Sequence, residues 1–115
     1  MPLLTSHHSS QFGPGTYFAR DASYSARSTY SPPDANGLKR IFLCRLALGA
    51  HTPVAFGYSG KEPPVRDDTR LLGVGDLKFD CTSNDRIDAV TGLPEIMVAF
   101  KDNQALADYL VTFRM

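Results

Sequence analysis

Short apolar runs alternate with stretches rich in glycine, proline and charge along the whole chain, the pattern of brief strands joined by loops. Gly13-Pro14-Gly15 reads as a tight turn, since glycine tolerates positive φ and proline fixes its own. Thr16-Tyr17-Phe18 follows; β-branched and aromatic, it suits a pleated, half-buried strand. Asp21 is placed to cap a short helix over residues 22–27. Two tyrosines and a serine thereby come close together, with a π-face and a hydroxyl fit to hold a flat polar ring. Residues 31–37 form a connector in which Asn36-Gly37 suits a positive-φ turn. Positions 41, 42, 43, 44, 46, 47 and 48 are then apolar, and Gly37 and Gly49 bound the run. This near-continuous stretch, residues 40–48, predicts a strand buried on both faces.

The pattern dissolves over residues 52–78, which prolines and glycines punctuate, and a surface loop is expected there. Residues 79–82 predict a short strand, and 82–94 are polar apart from Ile87-Asp88-Ala89-Val90. Residues 96–100 predict an apolar strand, Asp102-Asn103-Gln104 a turn, and residues 109–113 a closing strand. The sum is α+β, a largely antiparallel sheet with short helices.

At 115 residues the chain holds at most one domain, and 43% hydrophobic with 21% charged content fits a globular protein. Twelve basic residues balance twelve acidic ones, so no general nucleic-acid footprint is indicated. No apolar run approaches the roughly 18 residues of a membrane helix, and the first residues lack the pattern of a signal peptide. Cys44 and Cys81 have no metal-ligand spacing and read as reduced thiols, which places the chain in the cytoplasm, the nucleus or both. His7 and His8, adjacent and without further ligands, read as part of a solvated N-terminal segment, so no metal is expected.

Four ordered blocks carry a family resemblance. They are Gly15–Ala19 with Ala22–Ala26 and Tyr30–Gly37; Phe42–Gly49; Phe79-Asp80; and Ile96–Ala105 with Tyr109–Phe113. Together they resemble the catalytic domain of the poly(ADP-ribose) polymerases (PARPs), and within it the branch that transfers single ADP-ribose units. The resemblance implies an ADP-ribosyltransferase-like fold, with residues 1–12 as the irregular end of the donor-loop region and 13–115 as the C-terminal portion of the domain.

It further implies an NAD-dependent glycosyltransferase, with NAD as co-substrate and a protein side chain as acceptor. Cleaving nicotinamide from ribose passes through a cation-like ribose, so such a site must grip the ring and stabilise charge as it departs. By resemblance Tyr30 stacks on the nicotinamide, Tyr17 is the tyrosine of the family's His-Tyr-Glu triad and packs against the same ring, and Ser25 bonds the carboxamide. Ser25 and Tyr30 can face one ring only if the chain leaves the helix before Tyr30.

Two departures stand out. Ile96 occupies the position of the triad glutamate, and isoleucine can neither bond the ribose nor act as a base. Glu95 is adjacent, but successive strand residues point to opposite faces, so it substitutes only if the strand starts late or bulges. Isoleucine there resembles the single-unit transferases. In addition, no His-Gly pair exists in the sequence, whereas the family's lies on a strand well upstream of Tyr17. The chain is therefore expected to be a truncated mono-ADP-ribosyltransferase domain, or alternatively an inactive binding module that keeps the fold.

Overall fold

The computed structural model describes residues 11–66 and 77–114; the expectations for residues 1–10, His7 and His8 included, lie outside the described residues. The observed strands are β1 (Thr16–Ala19), β2 (Lys39–Leu46), β3 (His51–Pro53), β4 (Cys81–Ser83), β5 (Ile96–Ala99) and β6 (Ala105–Phe113). One short helix, α1 (Ala22–Ser25), follows β1, and a 3-10 turn (Asp102–Gln104) joins β5 to β6. They build two sheets among the described residues. One has four strands in the order β1-β5-β4-β3, and the other is a two-stranded ribbon of β2 and β6. All pairings are antiparallel except the parallel β3–β4.

The four-stranded sheet is buried on both faces because its strands alternate two apolar sets. Tyr17 pairs with Val98 and Ala19 with Ile96, and these four side chains form one cluster. Phe18, Met97, Ala99 and Cys81 point the other way into a second cluster. The glycine turn before β1 is required by close approach. A Cβ on Gly15 would lie 2.3 Å from the carbonyl oxygen of Ala99, and Gly13 holds φ at 126°.

The ribbon differs from its expectation. Residues 40–48 were predicted to be buried on both faces, yet β2 ends at Leu46 and much of it is exposed, with Leu43 at 47%. Its partner β6 begins at Ala105, well before the predicted 109–113, and Tyr109 and Leu110 are 66% and 56% exposed. Only the near end of the ribbon, Cys44, Leu46 and Ala105, packs on the second cluster of the sheet. A bulge between Leu43 and Cys44 shifts the register where the ribbon leaves that contact. The physical reason for the miss is that an apolar run records a need for cover on both faces, and two strands cannot supply it.

Smaller corrections concern the connections. The helix spans four residues, not 22–27, and Asp21 takes extended N-cap geometry while its side chain caps nothing. Its carboxylate instead pairs with Arg20 at 3.0 Å. The short strand expected at 79–82 is Cys81–Ser83, and the expected loop 52–78 begins on β3. The apolar group at 87–90 is an exposed turn whose backbone N–H groups at Val90 and Thr91 are held by the Asp88 carboxylate. Gln104 locks the β5–β6 turn, accepting from the N–H groups of Phe100 and Lys101 and donating to the carbonyl of Asp80.

Candidate functional site

The candidate site lies where β1, α1 and the loop to Tyr30 meet the start of β5. Tyr17 is 1% exposed and packs with Ile96 in the first cluster. Its hydroxyl donates to the carbonyl of Gly13 and accepts from the N–H of Phe12, both at 2.7 Å. Burial pushes its phenol above the ordinary value, against the pull of those backbone bonds. Tyr17 thus braces the glycine turn with its polar end and presents its ring to the cluster.

Ser25, the last residue of α1, is fully buried. The chain leaves the helix at Ala26 and turns, with the N–H groups of Tyr30 and Ser31 both bonded to the carbonyl of Arg27. This loop is docked on β2 at two points. Lys39 Nζ donates to the carbonyl of Ala26, and Ser31 Oγ donates to the carbonyl of Arg40 at 2.6 Å. The early exit from the helix, needed for Ser25 and Tyr30 to act on one ring, is present.

Tyr30 reaches the cluster through a residue that the sequence reading left without a role. The ring of Tyr24 packs against the Tyr17–Ile96 cluster and stacks on Tyr30, with centroids 5.2 Å apart and planes 17° from parallel. The two hydroxyls are 3.1 Å apart. Burial, then the hydroxyl of Tyr30, pushes the Tyr24 phenol up to about 12. The only signal in the sequence was an aromatic residue directly before Ser25.

At the triad positions, Ile96 is 3% exposed, with its side chain among Tyr17, Ala19 and Val98. The strand starts at Ile96, so Glu95 stands in the bend just before it. One Glu95 carboxylate oxygen accepts from Asn84 Nδ2 at 3.2 Å, and Ile96, not Glu95, is the member of the Tyr17 cluster. Asn84 also accepts from the N–H of Ile96 at 3.2 Å, which fixes where the strand begins. The described histidine, His51, lies on β3 at the opposite edge of the sheet from β1, on the order of 14 Å away by strand spacing. Among the described residues no group of three or more His, Cys, Asp and Glu could hold a metal, and no helix is long and apolar enough to cross a membrane.

The profile of the poly(ADP-ribose) polymerase catalytic domain matches residues 2–115. The chain is 39% identical over 103 residues to protein mono-ADP-ribosyltransferase PARP14 of Homo sapiens, covering 90% of this chain and 5% of that protein. It is 36% identical over 101 residues to PARP10 of Mus musculus, another protein mono-ADP-ribosyltransferase, covering 88% of this chain and 9% of that protein. The chain thus spans less than a tenth of the length of either relative. The match runs through the glycine turn, the tyrosine loop and the strand of Ile96, and the chain belongs to the poly(ADP-ribose) polymerase catalytic-domain family.

Proposed function

We propose that these residues are the nicotinamide-gripping part of a protein mono-ADP-ribosyltransferase. It takes NAD as co-substrate, releases nicotinamide and attaches one ADP-ribose to a protein side chain. In this reading Tyr30 stacks on the nicotinamide, Ser25 bonds its carboxamide and Tyr17 shapes the floor. The half-exposed Tyr30, stacked on a Tyr24 that packs against the Tyr17–Ile96 cluster, supports the stacking role. The carboxylate-free place at Ile96, packed on Tyr17, carries the single-unit reading. An isoleucine there can neither hold the ribose nor take a proton from an ADP-ribose hydroxyl, so nothing at that place activates chain growth.

β1 is an outer strand of the sheet, and among the described residues its other edge pairs with nothing. That edge is the natural place for the His-Gly strand that the family resemblance implies. The strand's bonds to ribose and carboxamide are worth about 0.5–1.5 kcal/mol each, and losing three of them costs roughly ten- to a thousandfold in affinity. Residues 1–115 alone are therefore expected to show no measurable transfer. The test is incubation with labelled NAD of the chain joined to its upstream coding region. Single modified bands are expected, whereas ladders would overturn the single-unit reading and return Glu95 to consideration. Transfer by 1–115 alone, abolished by Tyr30→Ala, would overturn the dependence on an upstream strand.

A further inference from the structure

We infer that Lys39 is a positioning residue of this site: from the start of β2 its ammonium group holds the chain where it leaves α1, and so sets where Ser25 and Tyr30 stand relative to each other. The inference rests on the reading above, that Ser25 and Tyr30 grip one nicotinamide.

Lys39 is 7% exposed, and a lysine is buried to that degree only where its ammonium group finds acceptors. It donates to the carbonyl of Ala26, the residue that closes α1 directly after Ser25. It also lies 3.4 Å from Ser28 Oγ, and 5.9 Å from the ring centroid of Phe113, its register partner on β6. One cation thus spans residues 26 and 28, the turn with Ser25 just before it and Tyr30 just after. The carbonyl between them, that of Arg27, takes the N–H groups of Tyr30 and Ser31, so what fixes this turn also fixes the approach to Tyr30. A helix of four residues does not hold its own end, and the tie has to come from outside it. Ala26 is itself buried, which leaves little room for water in place of the ammonium group. Beyond Tyr30 the bond from Ser31 Oγ to the carbonyl of Arg40 makes a second tie to β2. Tyr30 is thereby bracketed between two anchors on neighbouring residues of one strand.

The test is calorimetric titration of nicotinamide into the full chain and its variants, with thermal melts and near-ultraviolet circular dichroism alongside. Lys39→Met keeps the apolar stem and removes the ammonium group. In the folded protein it is expected to weaken nicotinamide about tenfold. It should also change the tyrosine dichroism, because the Tyr24–Tyr30 stack spans the turn. Lys39→Arg keeps a buried cation and is expected to recover most of both. Phe42→Ser, at an exposed place on the same strand, should leave both unchanged. Ser28→Ala, at an exposed place, removes one acceptor and should weaken binding about twofold without unfolding the chain. A lysine that only stabilises the fold would lower the melting temperature of Lys39→Met and leave the affinity and dichroism of the folded protein as they were. That result would overturn the inference, as would equal weakness in Lys39→Met and either Lys39→Arg or Phe42→Ser. If Lys39→Met does not fold, Ser28→Ala decides, and unchanged binding there overturns the inference. If Tyr30→Ala abolishes binding while Lys39→Met leaves it intact, this inference alone fails. If the unsubstituted chain binds no nicotinamide, or Tyr30→Ala binds as well as it does, the functional reading fails and the inference with it.

Discussion

The β2–β6 ribbon is at least as apolar in sequence as the four-stranded sheet, yet the sheet is a core and the ribbon is a surface. In the sheet, each strand finds a partner and each face finds a cluster, so Tyr17, Val98 and Cys81 are essentially inaccessible. In the ribbon, nine residues of β6 pair with eight of β2, and beyond the bulge the side chains have little to lie on. A strand pair satisfies its backbone bonds between the strands but cannot bury its own apolar faces. The candidate site takes its buried support from the first cluster of the sheet, and its loop is also tied to Lys39 and Arg40 at the start of β2.

The sharpest way to break this contrast is to delete comparable apolar bulk on each side. Tyr17→Ala removes a buried ring and orphans the N–H of Phe12, and should cost about 3–5 kcal/mol in urea unfolding. Leu110→Ala, on the exposed ribbon, should stay within about 0.5 kcal/mol. Equal losses would mean that the ribbon is covered in solution. Next in size, Asn84→Ala leaves the buried N–H of Ile96 without its acceptor and should cost about 1–3 kcal/mol. A neutral result would free the start of β5 from Asn84.

A smaller effect distinguishes the two thiols. Cys81, on the sheet, is pushed by burial from 9.0 up to about 11, whereas Cys44, on the ribbon, is half-exposed. Near pH 8 that shift alone leaves about a hundredfold less thiolate at Cys81 than the ordinary value would give. Alkylation followed by mass spectrometry should label Cys44 first, and faster labelling of Cys81 would mean that the sheet opens. The same shift has a stability consequence. The folded state favours the protonated thiol, so its contribution is complete below pH 9 and is lost as pH rises through about 11. Tyr24, raised from 10.0 to about 12, extends the alkaline loss in the same direction. A stability that is flat from pH 8 to 12 would contradict both.

What was legible in the sequence was local. The glycine turn, the Tyr17 strand, the strand at Ile96 and the 3-10 turn follow from residue types and period, and the structure holds them. The fate of residues 40–48 was not legible, because an apolar run says that cover is needed and not whether these residues supply it. β3 escaped notice since Pro53 argues against a strand, and it is tolerated here because β3 is an outer strand. The helix is shorter than expected because Ser23, Tyr24 and Ser25 propagate a helix weakly, and Lys39 bonds the carbonyl of Ala26 where the chain leaves it. Tyr24 had no visible role because its stack with Tyr30 exists only once the turn between them has formed.

If the site belongs to the buried sheet and its tyrosine loop, a change in the loop abolishes ligand binding and a change on the exposed ribbon does not. Titrating nicotinamide into the unsubstituted chain, Tyr30→Ala and the ribbon variant Phe42→Ser tests it directly. Weak binding is expected, abolished by Tyr30→Ala and unchanged in Phe42→Ser; binding that survives Tyr30→Ala or is lost with Phe42→Ser would overturn that placement of the site.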